Sequence, residues 1–376
     1  MLKASRKLVG ICSLCLTAIA LWAAIGRTGP LGVTDFAAYW TASRQLLARG
    51  NPYAVGPVLA MERRLGFTGP LPLIMRNPPW ALPFILPFGL LPYSTAQRLW
   101  LCVAFAAVMA SVRLLWRLYA KPEAAPWAAW LATGLFLPVA AVLALGQIGP
   151  FILLGVAGFL ACERAGRDGW AGSCAFLIAF KPHLAFLFWP AFVLWIVREQ
   201  RWRVLPGFIV AFAAASAVAL GFDARVFTDY RELWAQTRIV WAEMPTPGGL
   251  LCLAFGRQRS WLAFLPAIAA AIWFVYHWAR KNPDWHWGAQ MPLLLLVSTA
   301  SSPYAWFFDQ VIVLPAALRL TAAKNGHPAR EWLWPTLAYL SINGLILGLL
   351  LNHQSTFWYA WTAPAWLVMY LWFLRF

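Results

Sequence analysis

Residues 203–221 read RVLPGFIVAFAAASAVALG. After Arg203 the run has no charged side chain, and as a helix it would rise about 27 Å, close to the hydrocarbon thickness of a bilayer. In that medium backbone polar groups must be satisfied within the segment, which leaves the helix as its form. Comparable apolar stretches recur along the chain, at roughly 8–25, 96–118, 127–145, 149–162, 169–180, 183–197, 203–221, 261–279, 288–300, 305–320, 331–350 and 357–374. The pattern predicts an all-α polytopic membrane protein of about twelve transmembrane helices, forming a single integral domain over 1–376.

Composition supports that class. The 376 residues are 62% hydrophobic and only 11% charged, with 25 tryptophans, and the mean hydropathy is +0.65, which excludes an ordinary soluble domain. The formal net charge of +17 does not indicate a nucleic-acid partner, because the basic residues come in twos and threes between apolar spans rather than as one patch. Their use is topogenic, with some left for membrane lipids. Cys12, Cys15, Cys102, Cys162 and Cys174 fall inside predicted spans and Cys252 lies near a loop, so no disulfide framework is expected, and no histidine is placed for a zinc site.

Lys3, Arg6 and Lys7 precede the run 8–25, which reads as an uncleaved first span. With the N-terminus inside, twelve spans put Arg117/Lys121, Arg164/Arg167, Arg198/Arg201/Arg203, Arg280/Lys281 and Lys324/Arg330 in the cytoplasm, along with both termini. The location expected is therefore the inner (plasma) membrane. Counting Trp80–Leu91 as a further span would invert every one of these loops. That stretch, with Pro79, Pro83, Pro87 and Pro92 around it, reads as re-entrant or surface-lying. Two large outer loops result, 26–95 and 222–260, and the other outer turns are small.

In the first loop Thr34 is a good N-cap. Phe36, Tyr39, Trp40, Ser43, Leu46 and Leu47 recur at helical spacing until Gly50-Asn51-Pro52 stops the helix. Its aromatics are expected at the interface, with Arg44 and Arg49 directed to headgroups or water. Asp35 falls in the first turn. It either complements the helix dipole, worth a few tenths of a kcal/mol, or serves as a general base held at the membrane surface. Further on, Arg76-Asn77-Pro78-Pro79-Trp80 makes an extended turn, either a kink or a means of aiming Arg76 and Asn77 into a cavity. In the fourth outer loop Val226, Tyr230, Leu233, Trp234, Thr237, Val240 and Trp241 share one face, predicting a second interfacial helix, and Met244–Gly249 reads as a flexible turn.

The small outer turns carry polar groups, which are costly near a membrane and usually face a cavity. They are Gln147 between two glycines, Lys181-Pro182-His183, and Asp309 below Ser302-Pro303-Tyr304. Lys181 and Asp309 either serve a site or pair with each other. His183 caps or snorkels as readily as it catalyses, and Gln147 either serves a site or satisfies broken backbone near its glycines.

Taken in order, Asp35 with Tyr39-Trp40, Asn51-Pro52-Tyr53, Asn77-Pro78-Pro79, Gly146-Gln147, Lys181-Pro182 and Ser302-Pro303-Tyr304-Ala305-Trp306 resemble glycosyltransferase family 87. These are polyprenol-phosphate-sugar-dependent enzymes of the C superfamily, similar to the mannosyltransferases that extend phosphatidylinositol mannosides. The resemblance runs from about residue 30 to 315. It implies a hexosyltransferase of the cell envelope, moving a sugar (mannose by family default) from a polyprenyl-phosphate donor to a lipid or glycan hydroxyl, with inversion. The acid of the first outer loop, Asp35 here, is implied as the catalytic base. Two departures stand out. Relatives often carry a tyrosine before the Pro-Pro pair, where this chain has Asn77. They often carry a histidine after the Ser-Pro…Trp segment, where this chain has Phe307-Phe308-Asp309, which leaves open whether Asp309 takes that place.

The leaving group of such a transfer is already a stable anion, so the site needs a base and cations rather than a strong acid. Lys181 with Arg44 or Arg76 would hold the phosphate, and Asn77, Gln147, His183, Tyr304 and Asp309 complete the candidate substrate site. No acidic cluster calls for a metal and no cofactor is expected. The competing classes are a multi-span transporter or lipid flippase, which should show two similar halves that this chain lacks, and a non-catalytic scaffold.

Overall fold

The computed structural model describes residues 33–374 apart from 123 and 324–328. The predicted span 8–25 and Lys324 lie outside them. The described secondary structure is helical throughout. It opens with α1 (Phe36–Leu47), α2 (Val55–Arg64) and α3 (Leu82–Gly89), followed by the 27-residue α4 (Tyr93–Tyr119). Next come α5 (Pro126–Leu135), α6 (Leu137–Leu145), α7 (Gly149–Arg164), α8 (Asp168–Ile178), α9 (Phe188–Glu199) and α10 (Val204–Phe222). After α11 (Val226–Gln236) and α12 (Pro247–Phe255) the chain continues through α13 (Leu265–Lys281), α14 (Trp287–Ser301), α15 (Leu314–Ala323), α16 (Ala329–Leu351) and α17 (Thr362–Phe373).

Each predicted segment within the described residues corresponds to one of these helices, except 127–145, which divides into α5 and α6. Four stretches are long and apolar enough to cross a membrane: Tyr93–Tyr119, Val204–Phe222, Ser260–Asp284 and Trp332–Leu351. The pair α5 and α6, bent by 63°, would make a fifth. Of the expected twelve, eleven fall among the described residues, and they exceed this number because hydropathy counts apolar residues without registering where a helix breaks or stops short. Residues 305–320, for example, divide into a 3₁₀ stretch, Phe307–Val313, and α15. Pro79–Gly89 is a short apolar helical unit, too short at about 1.5 Å per residue to reach across a bilayer.

The break between α5 and α6 shows how an interrupted helix is tolerated. Pro138 has no backbone N–H to donate, and the amide of Leu137 finds an acceptor 206 residues later, donating to Asn343 Oδ1 on α16 at 2.9 Å. A buried unpaired amide would otherwise cost about 1–3 kcal/mol. Elsewhere helices meet through small residues: Ser173 on α8 donates to the Gly207 carbonyl of α10, and a Cβ at Gly172 or Gly207 would collide with the facing backbone.

Two cavities mark the ends of the bundle. One takes in Asp35, Gln147, Lys181, Tyr304 and His353. The other takes in Tyr119, Arg164, Arg201, His286 and Arg319. Segments joining these positions run alternately from one end to the other, so loops predicted to share a side do gather together. Large exposed tryptophans stand near both ends, among them Trp261 and Trp358 at the first, and Trp170, Trp202, Trp334 and Trp372 at the second. That placement suits the two boundaries of a lipid layer.

Three expectations for the outer loops change. Phe36, Tyr39 and Trp40 of α1 are buried in protein rather than laid along a membrane surface. Trp40 donates its indole N–H to the Leu91 carbonyl, Ser43 bonds the Ile85 carbonyl, and α3 covers the face meant for lipid. The stripe from Val226 to Trp241 is helical only to Gln236. Thr237 turns extended, its hydroxyl back-bonded to the Leu233 carbonyl. Instead of a loose turn at 244–249, Thr246 caps α12 by accepting from the Gly249 amide, and Cys252 is buried on that helix.

Candidate active site

Asp35 is the residue at the head of α1. Its side chain does not cap the helix, and Thr34, the predicted cap, instead accepts from Gln97 through its hydroxyl. The carboxylate is therefore left for other partners. Gln147 donates from Nε2 to Asp35 Oδ2 at 2.8 Å. At its other end Gln147 Oε1 receives two donors, the Tyr39 hydroxyl at 2.8 Å and Lys181 Nζ at 3.2 Å. Two donors on one oxygen dictate which way the amide faces, so its N–H must point at the carboxylate. Lys181 Nζ also pairs with Asp309 Oδ1 at 2.7 Å and lies over the Phe308 ring. Asp309 is 1% exposed and accepts the Trp306 amide at Oδ2.

The result is one continuous chain of bonds, Asp35–Gln147–Lys181–Asp309, drawn from four separate segments. The cavity above it holds about 1040 Å³. Burial raises the pKa of Asp35 above the usual carboxylate range, with the Gln147 hydrogen bond and the Lys181 charge pulling the other way. Burial also disfavours the charge on Lys181, but Asp309 and Tyr39 outweigh it and hold its pKa above the ordinary lysine value. The cation is thus permanent, while the acid at the cavity wall is a stronger base than a free carboxylate.

Local backbone sets this arrangement. Gly146 ends α6 in the left-handed region, at φ +70°, and turns the next residue, Gln147, into the cavity. Its carbonyl accepts from the Trp100 indole at 2.8 Å, and a Cβ at this position would meet Phe36 Cβ at 2.7 Å. Gly146→Ala should cost about 1–2 kcal/mol from the left-handed backbone alone. It should also push α1, and with it Asp35, off position. A lower melting temperature accompanied by a disproportionate loss of activity is the expected pair of measurements.

Of the other predicted site residues, Arg76, Asn77, His183 and Tyr304 line the same cavity. Asn77 is held by structural bonds, donating to the Phe180 carbonyl at 2.9 Å while its own carbonyl accepts from Tyr53. The His183 ring packs edge-on to Tyr304. Arg44 is placed elsewhere: it is exposed, stacks on Trp40 and donates to the Gly89 carbonyl. Two participants escaped the sequence reading. Tyr39, four residues after Asp35 and so on the same helix face, orients Gln147, and that spacing was the available signal. Trp234 of α11 reaches the rim beside Tyr304, and no local pattern announces that.

The sequence profile of glycosyltransferase family 87 matches residues 76–303, more than half of the chain. The match takes in Gln147 and Lys181, while Asp35 precedes it. No curated protein and no solved structure matches the chain. A membrane-type helical fold, a large cavity and this profile lead to one assignment: the chain belongs to glycosyltransferase family 87.

Proposed function

We propose that the protein transfers a sugar, mannose by family default, from a polyprenyl-phosphate donor to a lipid or glycan hydroxyl, with Asp35 as general base. The observation that carries this is the hydrogen-bonded line from Asp35 through Gln147 to the Lys181 cation at the wall of one cavity. Asp35 Oδ2 is occupied by Gln147, and among the described residues no donor is bonded to Oδ1, which leaves it to accept the acceptor's proton. As that O–H bond breaks, the acceptor oxygen forms the new bond to the anomeric carbon. The bond from that carbon to the donor phosphate breaks, and its electron pair leaves on the phosphate. Lys181 and Arg76 supply positive charge to the departing anion, where a partly desolvated interaction counts for more than in water. Attack opposite the leaving group inverts the anomeric centre. Because the outer cavity lies beside the loops assigned to the outer face, the reaction belongs to that side of the plasma membrane, with the termini cytoplasmic.

The test is to supply purified protein with polyprenyl-phosphomannose and lipid or glycan acceptors and to determine the anomeric configuration of the product. Inverted transfer supports the proposal. Lipid flipping or uptake without transfer would favour a carrier instead.

The pH profile offers a second check. A base works only when deprotonated, so activity must fall as pH drops through the pKa of Asp35. Burial has raised that value, and the acid limb of kcat/KM should lie above the usual carboxylate range. Gln147→Leu removes a hydrogen bond that stabilises the charged form and should move the limb to still higher pH.

A further inference from the structure

The cavity at the far end of the bundle, about 660 Å³ in volume, takes no part in the proposed transfer. Tyr93, at the start of α4, accepts from the Thr34 amide beside Asp35, whereas Tyr119, at the end of the same helix, lines the far cavity. Twenty-seven residues of α-helix separate the two ends by about 40 Å. The far cavity is walled by Arg164, Arg201, Arg319 and His286, with Glu163 and Tyr119 among them.

Several of its donors are unspent. Arg319 uses Nη1 on the Ala289 carbonyl and the Tyr370 hydroxyl, Arg164 uses Nη1 on the Leu118 carbonyl, and Arg201 uses Nη2 on Asp168 at 2.8 Å. Each guanidinium has five N–H donors in a planar fork. Among the described residues, the Arg201 Nε and the Tyr119 hydroxyl are buried with no hydrogen-bond partner. Buried donors of this kind ordinarily have one. Among the described residues, the three arginines lining the cavity outnumber by one the carboxylates beside them, Glu163 on its wall and Asp168 paired with Arg201.

We propose that this cavity binds the phosphodiester headgroup of an anionic lipid. A phosphodiester carries a single negative charge, equal to the surplus, and its unesterified oxygens suit the Arg fork. The source is set by the surroundings: exposed Trp170, Trp202, Trp334 and Trp372 near this end mark the level at which lipid headgroups lie.

The experiment uses the full chain in maltoside micelles and measures binding of short-chain phosphatidylglycerol by native mass spectrometry and thermal shift. Phosphatidylcholine of equal chain length and inorganic phosphate serve as comparisons. Phosphatidylglycerol should bind saturably and outcompete both. Arg164→Gln, an exposed position that leaves the fold intact, should weaken it about tenfold through loss of charge-assisted bonds. Arg164→Gln/Arg201→Gln should weaken it further, and Arg98→Gln, an exposed arginine near the opposite end of α4, should leave it unchanged. Equal binding of phosphatidylcholine, equal binding of inorganic phosphate, or full affinity in Arg164→Gln would each overturn the proposal. So would an equal loss of binding in Arg98→Gln, since the anion would then be held by surface charge rather than by this cavity.

Discussion

Asp35→Asn should reduce sugar transfer by roughly a hundred- to ten-thousand-fold, the range over which general bases contribute, while leaving the melting temperature nearly unchanged. Asparagine keeps the shape of the side chain and an oxygen to accept from Gln147 Nε2. It lacks the basicity to take the acceptor's proton. Substrate binding should survive, so the loss should fall on kcat more than on KM. Asp35→Glu provides the contrast, because it keeps the charge but displaces the oxygen by one methylene. It should retain more activity than Asn, and less than the parent because the reacting atoms are misplaced. A transfer rate unaffected by Asp35→Asn would remove the residue from the mechanism altogether.

Lys181→Met should have the largest effect on stability. The substitution leaves Asp309, 1% exposed, facing an apolar side chain where an ammonium stood at 2.7 Å. Breaking a buried ion pair from one side costs about 3–5 kcal/mol, because the remaining charge is uncompensated. Lys181→Met/Asp309→Leu removes both charges and should recover most of the melting temperature. If Lys181 serves only to neutralise Asp309, activity should recover with it. The proposed role on the donor phosphate predicts otherwise: a stable protein with transfer still depressed. Measuring both quantities on the single and double variants separates a structural pair from a cation that acts on substrate.

The main outline of this molecule could be read from its residues because membrane helices announce themselves by composition. Asp35, Lys181 and Gln147 stood out for a related reason, since polar groups at the mouths of apolar segments need an explanation. Their mutual contact was less visible. Residues 35, 147 and 181 converge only through the left-handed turn at Gly146 and the packing of α1 under α3, and neither leaves a periodic trace. Arg44 illustrates the limit. Its charge and position suited a phosphate ligand, but helical phase turns it from the cavity toward Trp40 and the Gly89 carbonyl. The number of crossings was hard to count for another reason. Proline and tertiary hydrogen bonds divide apolar runs into pieces, as at Phe307–Val313, and hydropathy averages over the joints.

The amide of Leu137 has one further implication, for assembly. Its acceptor, Asn343 Oδ1, belongs to a residue made 206 positions later. Until α16 has been synthesised, the joint between α5 and α6 lacks this acceptor. The turn carrying Gln147 begins at the end of α6, so this bond links the proposed site to a helix in the last third of the polypeptide. A chain ending before residue 343 would lack this acceptor, and the turn that presents Gln147 to Asp35 should be held less firmly in it.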